Sequence, residues 1–177
     1  MWCWASDAMQ VIHVARLRMP LVDVIHVAAS PHGILLVHLG DDADGVRVWL
    51  AQRYPRATLK RGGGLTIEAG RDLRRYLEGG PDPDLPVVLP EDGFTARVWR
   101  HLRRIPRGEV RSYARVAKDL RRPGAARAVG QACGSNPVPL VVPCHRVVAT
   151  DGGLGGFSAG LHLKRALLAL EGWAPRT

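Results

Sequence analysis

The chain has 177 residues, 46% of them hydrophobic, so it can bury a core in one substantial domain or two small ones, which predicts a globular protein. No apolar run approaches the length that crosses a bilayer, and Met1–Gln10 lacks the layout of a signal peptide, which argues against a membrane partner and predicts a cytoplasmic protein. The net charge of +9 favours an acidic partner.

The positive charge is concentrated in Phe94–Arg127, here termed the basic segment. It holds eleven Lys or Arg residues against Glu109 and Asp119, whereas the rest of the chain has 14 basic and 14 acidic residues. Such a concentration attracts a polyanion, usually nucleic acid, although a solvated arginine-rich surface is the alternative. The eleven are Arg97, Arg100, Arg103, Arg104, Arg107, Arg111, Arg115, Lys118, Arg121, Arg122 and Arg127.

The first half of the chain is predicted to form a small antiparallel sheet with two helices. Three short β-branched runs, Val11–Leu17, Val22–Ala28 and Ile34–Leu39, are typical of strands. Apolar residues at helical spacing predict helices over Asp41–Tyr54 and Ile67–Leu77. No catalytic grouping is found in this half.

Two glycine-rich stretches divide this region further. Gly62–Gly64 indicates a turn, and a short strand from Thr58 before it is left open. Gly79–Pro86 is a dense run of turn-forming residues and reads as a linker. We therefore predict an N-terminal α/β structural domain over residues 1–86 and a second domain over residues 87–177.

Three helices are predicted in the basic segment. Phe94–Arg104 has apolar residues at four-residue steps, and Ser112 is a plausible N-cap for a helix over Tyr113–Leu120. A tight turn containing Gly124 then leads into a helix over Ala125–Cys133. Two short helices joined in this way are typical of a helix-turn-helix.

Small residues make the third of these helices slender, with Arg127 and Gln131 on a common face. An ordinary helix is about 10 to 12 Å across and the minor groove of B-DNA is only about 6 Å wide, so a slender helix is better suited to a minor groove. Close packing in a core is the alternative, but Arg127 has no obvious carboxylate partner. The small residues are Ala125, Ala126, Ala128, Gly130 and Ala132.

Cys144 stands between Pro143 and the pair His145 and Arg146. Thiolate is the reactive form of cysteine, and neighbouring cationic groups stabilise it, so we predict a nucleophile with a lowered pKa. Pro143 fixes its own φ and suits a rigid turn that presents one side chain to a pocket. A buried structural cysteine is the alternative, and the spacing alone favours neither.

These motifs together resemble the O6-alkylguanine-DNA alkyltransferases, also called methylated-DNA-protein-cysteine methyltransferases. The resemblance is dense from about Phe94 to Glu171 and only general before that. It rests on the order and spacing of Ser112-Tyr113, Arg127-Ala128-Val129-Gly130, Asn136-Pro137, Pro143-Cys144-His145-Arg146-Val147, Gly155-Gly156-Phe157-Ser158 and Glu171.

The resemblance implies an α+β fold, with a ribonuclease H-like N-terminal sheet and helices followed by a mainly helical winged helix-turn-helix domain. It implies that the second domain binds duplex DNA containing O6-alkylguanine, as a monomer, with cooperative binding along DNA left open. Cys144 would take the methyl or alkyl group from O6 of guanine, with O4 of thymine as a second candidate. The base must leave the stack to be reached.

The resemblance also implies the site residues. Arg127 would fill the space left by the flipped base, and Tyr113 would push on the target phosphate and donate to the purine. The catalytic residues would be Cys144, His145, Glu171 and Asn136, the last bracing the turn ahead of the cysteine. The residues at DNA or guanine would be Ser112, Tyr113, Arg127, Ala128, Gly130, Arg146, Val147, Phe157 and Ser158.

Side-chain chemistry supports the roles of His145 and Glu171. His145 can take the thiol proton, through a water because adjacent side chains in an extended segment point apart. An imidazole needs an acceptor to fix its tautomer. The helix predicted over Leu161–Leu170 places Glu171 at its end, where a carboxylate opposes the helix dipole and needs some other stabilisation. An exposed surface glutamate is the alternative.

Residues 151–160, with five glycines, are expected to cover the guanine, with the Ser158 hydroxyl near O6. Phe157 stands where the family often has Tyr, and Ala159 where it often has Gly, which affects the fit of bulky adducts. A thioether is not hydrolysed by such a site, so each molecule is expected to act once.

Three other functions stay open on the sequence. A cysteine hydrolase would share Cys144 and His145 but would not need the basic segment. A binding protein that only senses alkylated DNA would lack the cysteine, and a winged-helix regulator would be indifferent to alkylation. We predict no cofactor and no metal, because Cys3, His13, His26 and His32 fit no standard zinc spacing.

Overall fold

The structure, a computed structural model, describes residues 11–89 and 92–174 of the chain. The predictions about Met1–Gln10, including Cys3 as a metal ligand, lie outside these residues. The chain divides into two compact units, Met1–Pro90 and Glu91–Thr177, and each mixes helices with strands. Within the described residues no helix is both long and apolar enough to cross a bilayer.

The first unit contains a four-stranded sheet in the order β3-β2-β1-β4. Strands β1 and β2 pair antiparallel, as do β2 and β3, whereas β4 pairs parallel to β1. The three predicted strands therefore pair antiparallel as expected, and the parallel pair is made by the fourth strand, which the sequence left open. The strands are β1 (Val11–Met19), β2 (Asp23–Ser30), β3 (Gly33–Leu39) and β4 (Thr58–Arg61).

Helix α1 (Ala43–Arg53) makes the parallel edge possible, because parallel strands need a long crossover rather than a hairpin. It begins at Asp42, whose carboxylate accepts a hydrogen bond from the Gly45 amide at 2.9 Å. Its buried residues Val46 and Leu50 pack on Ile12 and neighbouring residues of the sheet. The crossover returns the chain to the open edge of β1.

Helix α2 (Leu65–Leu77) covers the opposite face of the sheet, where Leu17 lies against Gly70. Side chains alternate along a strand, so Leu17 and Ile12 of β1 point to different layers. Residues 24–30 of β2 are all buried, as expected for a central strand covered on both faces. The sequence predicted both helices, with ends shifted by a few residues.

The C-terminal end of the predicted linker, Gly79–Pro86, is hydrogen-bonded to strand β3 of the sheet. Leu85 is buried, and the Pro86 carbonyl accepts a hydrogen bond from the Ile34 amide at 2.8 Å. The Val88 amide donates to the Ile34 carbonyl at 3.0 Å, which forms a parallel bridge at Val87. The first unit therefore extends past Pro86 to Pro90.

The second unit contains helices α3 (Phe94–Leu102), α4 (Tyr113–Asp119), α5 (Ala126–Gly134) and α6 (Leu161–Leu170). Helix α5 packs against both α3 and α4. The Trp99 indole N–H donates to the Ala132 carbonyl at 2.7 Å, and the Arg97 guanidinium donates to the Leu120 carbonyl at 2.9 Å. These bonds fix α4 and α5 relative to α3.

A two-stranded parallel ladder joins the start of α4 to the candidate nucleophile. Strand β5 (Arg111–Ser112) pairs with β6 (Val147–Val148) in the register Arg111 to Val147. The Ser112 hydroxyl accepts from the Arg115 amide at 3.1 Å, so Ser112 is the N-cap of α4, as the sequence predicts. Tyr113 is thereby held close to the chain that follows Cys144.

Candidate active site

Cys144 opens a short 3-10 helix, Cys144–Arg146, and the residue is only 4% exposed. The Asn136 side-chain amide donates to the Val142 carbonyl at 2.8 Å and lies 3.2 Å from Cys144 Sγ. The Asn136 side-chain oxygen accepts from the Val138 amide at 3.0 Å. One side chain therefore holds both the turn and the sulfur.

The environment of Cys144 favours the thiol in the resting protein. Burial raises the pKa of Cys144, although the Asn136 hydrogen bond and the nearby Lys164 ammonium lower it. The predicted lowering of this pKa by His145 and Arg146 is therefore wrong, because those cations were expected to face the sulfur. Both side chains instead bond to the Glu171 carboxylate. A thiol in this environment needs a base to remove its proton.

His145, Glu171 and Arg146 form a buried network behind the nucleophile. His145 Nε2 lies 3.0 Å from Glu171 Oε1. Arg146 donates from Nη2 to Oε1 at 2.7 Å and from Nε to Oε2 at 3.0 Å, and its Nη1 donates to the Ile105 carbonyl at 2.7 Å. The guanidinium supplies the stabilisation that a carboxylate at the end of α6 requires.

This network leaves His145 as a neutral base. Burial lowers the pKa of His145, Arg146 and Lys164 lower it further, and the Glu171 carboxylate opposes them. A neutral imidazole that donates Nε2–H to Glu171 carries its lone pair on Nδ1, which is also buried. A proton acceptor therefore lies on the residue next to the thiol.

The predicted extended segment at Cys144 and His145 is a 3-10 turn, closed by a hydrogen bond from the Arg146 amide to the Pro143 carbonyl at 3.0 Å. The argument that the two side chains point apart as in a strand is therefore wrong. The rigid turn expected at Pro143 is present.

The Tyr113 side chain contacts residues 151–160, here termed the glycine-rich loop, which precede α6. Its hydroxyl lies 3.3 Å from the Gly156 amide nitrogen, which donates to it, and 3.4 Å from the Gly156 carbonyl. A Cβ on Gly155 would lie 2.7 Å from the Tyr113 ring, so only glycine permits this approach. Phe157 is half-buried and Ser158 is exposed in the same loop.

Helix α5 has one buried face and one face of small residues with a single cation. Val129, Ala132 and Cys133 are buried. Arg127 is exposed, with no hydrogen bond or ion pair to any residue in the described part of the chain, and Gln131 is exposed one turn later. Ala128 and Gly130 are half-buried, and a Cβ on Gly130 would meet the Tyr113 ring at 3.8 Å.

The comparisons with known proteins agree on one family. Residues 93–173 match the model of the 6-O-methylguanine DNA methyltransferase DNA-binding domain. A methylated-DNA--protein-cysteine methyltransferase of Shigella flexneri is 43% identical over 68% of this chain and 69% of that protein. The chain belongs to this methyltransferase family.

Two further matches show how far the likeness extends. A methyltransferase of the same name from Mycolicibacterium paratuberculosis is 52% identical, but the aligned segment spans only about half of each protein, 50% of this chain and 53% of the relative. The crystal structure of Mycobacterium tuberculosis OGT in complex with DNA is 33% identical, with a TM-score of 0.76 over 92% of this chain and 95% of that one. The structural likeness to the methyltransferase family therefore includes both units.

Two residues predicted to bind DNA or guanine have buried side chains in this structure. Arg146 is 2% exposed and its guanidinium is bonded to Glu171 and Ile105, so it stabilises the network behind the nucleophile. The Val147 side chain is fully buried and its backbone belongs to β6. Neither side chain is exposed in this structure, and a role of Arg146 and Val147 in binding DNA or guanine stays a prediction.

Lys164 is a residue of the site that the sequence reasoning treated only as a position on the α6 face. It is 0% exposed, and its ammonium donates to the Val147 carbonyl and to the Gly156 carbonyl. A lysine among the apolar positions Leu161, Leu167 and Leu168 was the available signal, because a buried lysine needs partners.

Two histidines of the first unit have partners other than a metal. His26 lies 3.2 Å from Asp41, and a His13 ring nitrogen contacts the Gly62 carbonyl. In residues 11–89 and 92–174, no three His, Cys, Asp or Glu side chains are grouped to hold an ion. That no metal binds remains a prediction.

Proposed function

We propose that this protein repairs DNA by transferring a methyl or larger alkyl group, once per molecule, from O6 of guanine in duplex DNA to Cys144. The observation that carries the proposal is a buried thiol held by Asn136 and followed in the chain by the buried network of His145, Arg146 and Glu171, on the unit that carries the slender helix α5. A hydrolase needs no such helix. O4 of alkylated thymine is a second candidate substrate.

The first step is the activation of the thiol. The Sγ proton passes to His145 Nδ1, through a water molecule, and the imidazolium is stabilised by the Glu171 carboxylate. The thiolate then attacks the alkyl carbon, and the bond from that carbon to O6 breaks with its electron pair going to guanine. Guanine takes up one proton, so a thiol and an alkylguanine become a thioether and guanine.

DNA is bound through α5 in the minor groove, which its small residues Ala128 and Gly130 allow. Arg127 fills the place of the extruded nucleotide, and Tyr113 acts on the phosphate and on the purine ring. The proposal is supported by the exposure of Arg127 and by the position of Tyr113 between α5 and the loop. Base extrusion is required because O6 lies inside the stack.

Phe157 and Ser158 in turn contact the guanine from the loop before α6. Backbone groups and the Ser158 hydroxyl donate to O6 as it becomes a leaving oxygen, because developing charge is best stabilised by donors already in place. Asn136 keeps the thiol in position, and Ser112 keeps the start of α4 in position.

We assign the first unit, residues 1–90, a structural role in a ribonuclease H-like fold and the second unit, residues 91–177, the DNA-binding and transfer roles. The strand order and the parallel edge strand support the first assignment. Helices α3 to α5 with the β5–β6 ladder support a winged helix-turn-helix in the second. Since DNA is the substrate, we place the protein in the cytoplasm, at the nucleoid if the cell is bacterial.

The test is a stoichiometric mass measurement. After incubation with excess duplex containing O6-methylguanine, the peptide with Cys144 should gain one methyl group, and guanine should be restored in equal amount. Cys144→Ala should lose transfer and keep binding to duplex DNA. Turnover beyond one equivalent, or a methyl group on another residue, contradicts the proposal.

A further inference from the structure

The turn between α4 and α5 contains a residue in an unusual backbone conformation. Arg121 has a φ of +59°, in the left-handed region that residues with a side chain rarely occupy. Its amide donates to the Lys118 carbonyl at 2.9 Å, and the Arg122 amide donates to the Ala117 carbonyl at 2.9 Å. This pair of bonds is the Schellman motif that ends a helix, and Arg121 occupies the position in it that most often holds glycine.

The Arg121 side chain makes no bond that would offset this conformational cost. It is exposed, and its guanidinium has no hydrogen bond or ion pair to a residue of the ranges 11–89 and 92–174. Asp119, the acidic residue closest to it in the chain, is bound by Arg115 at 2.9 Å and by His101 at 3.5 Å. Glycine in place of Arg121 would therefore remove no guanidinium contact from the folded protein.

Arg121 also lies among like charges. Lys118, Arg121 and Arg122 are all exposed, and Asp119 is the only acidic residue in the sequence from Val110 to Thr150. Neighbouring charges of one sign repel each other, and a bound anion relieves that repulsion. Backbone conformation and charge thus both disfavour an arginine here in the free protein, and both point to a role in binding an anion.

We propose that Arg121 is a DNA-binding residue, which contacts a backbone phosphate beside the groove that α5 occupies, although it lowers the stability of the free protein. The inference rests on the proposed docking of α5 in the minor groove. The turn leads directly into α5, so it meets the phosphates that border this groove, and a guanidinium can bind two phosphate oxygens at once. The contact fixes the position of α5 and reads no base.

Two measurable properties should change in opposite directions in Arg121→Gly. The unfolding temperature should rise by about 2 °C, because relief of the left-handed strain exceeds the entropy that glycine adds to the unfolded chain. Affinity for unmodified duplex should fall about three- to tenfold at about 0.1 M salt, and the slope of log affinity against log salt should become less steep by about one. Calorimetry and fluorescence anisotropy with a labelled duplex measure the two effects.

Two further variants separate the charge from the backbone. Arg121→Asn also removes the charge, and asparagine tolerates left-handed geometry, so its affinity and salt slope should match those of Arg121→Gly. Arg121→Lys keeps the charge and the strain, so its salt slope and unfolding temperature should stay close to those of wild type. The matched control is Arg71→Gln, exposed on α2, which removes one charge outside the basic segment and should leave the slope unchanged.

The outcomes are separable. If wild type does not bind duplex in a salt-dependent manner, the proposed function and the role of Arg121 both fail. If wild type binds, and Arg121→Gly and Arg121→Asn keep its salt slope, only the role of Arg121 is refuted. A loss of affinity with a lower unfolding temperature in Arg121→Gly would show that the arginine supports the fold, which also contradicts the inference.

Discussion

Glu171 illustrates how one residue carries both stability and chemistry. Its two oxygens serve His145 and Arg146 at distances of 2.7 to 3.2 Å, with no side chain of the three more than 2% exposed. The carboxylate pairs with a permanent cation and orients a neutral imidazole. Without the guanidinium, the charge on Glu171 would be free to hold His145 in its protonated form, which is useless as a base.

We predict that Glu171→Gln destabilises the protein by about 3 to 5 kcal/mol, because it leaves the buried Arg146 charge without its counter-charge. Methyl transfer should fall as well, since His145 loses the group that stabilises its imidazolium. Urea unfolding and single-turnover kinetics measure the two effects. The control is Glu109→Gln, whose pair with Arg111 at 2.7 Å is partly exposed, with an expected cost of about 0 to 1 kcal/mol. Equal costs would contradict the account.

At the scale of elements, the site depends on how closely the glycine-rich loop approaches α4. Gly155 has a φ of +66° and faces the Tyr113 ring, whereas a Cβ on Gly156 would find nothing within 4 Å. The two adjacent glycines therefore differ in their tolerance of a side chain. They form a natural matched pair for testing the contact.

Gly155→Ala should slow methyl transfer by about 100-fold, because the added Cβ forces Tyr113 and the loop apart. Left-handed backbone geometry adds a cost of about 1 to 2 kcal/mol for a residue with a side chain. Gly156→Ala keeps its backbone donor and acceptor and should change the rate by no more than about twofold. Single-turnover rates at saturating duplex compare them, and a larger defect in Gly156→Ala would show that the close approach to Tyr113 is unimportant.

At the scale of the whole molecule, the charge distribution sets how the protein meets DNA. Eleven of 25 basic residues lie in the basic segment, and the rest of the chain is neutral in sum. Binding to duplex through phosphates releases counterions, so affinity should fall linearly with salt on logarithmic axes. The slope reports the number of phosphates neutralised.

Arg122→Gln, exposed between α4 and α5, should weaken duplex binding and reduce the salt slope by about one. Arg71→Gln, exposed on α2, removes the same charge outside the basic segment and should leave the slope unchanged. Fluorescence anisotropy with labelled duplex over a range of salt measures both. Equal changes in the two variants would mean that net charge, not its location, drives binding.

Sequence reasoning was sufficient for features that depend only on residues close together in the chain. The Ser112 cap and the bounds of helix α6 depend on neighbours within a few residues, and both predictions are confirmed. The edge strand β4 was left open because all four of its residues are exposed and carry no alternation, so only pairing with β1 defines it. The family motif led to the residues around Cys144, and their roles stay predictions.

Errors arose where a property depends on burial. The pKa of Cys144 was expected to fall because of its sequence neighbours, and it rises because packing removes the thiol from water. The partner of Arg146 was not predicted, because Glu171 lies 25 residues away in the chain. Lys164 reaches one carbonyl in β6 and another in the loop before α6. None of these contacts can be predicted from residue types a few positions apart in the chain.

The hydrogen bond from the Trp99 indole to Ala132 gives the molecule a built-in optical reporter. Indole emission responds to the polarity and hydrogen bonding of its surroundings, and this ring is anchored to the rear of α5. In a version whose other four tryptophans are replaced by phenylalanine, a spectral shift upon mixing with duplex would time the adjustment of α5. Stopped-flow traces could then order that adjustment against bond breaking.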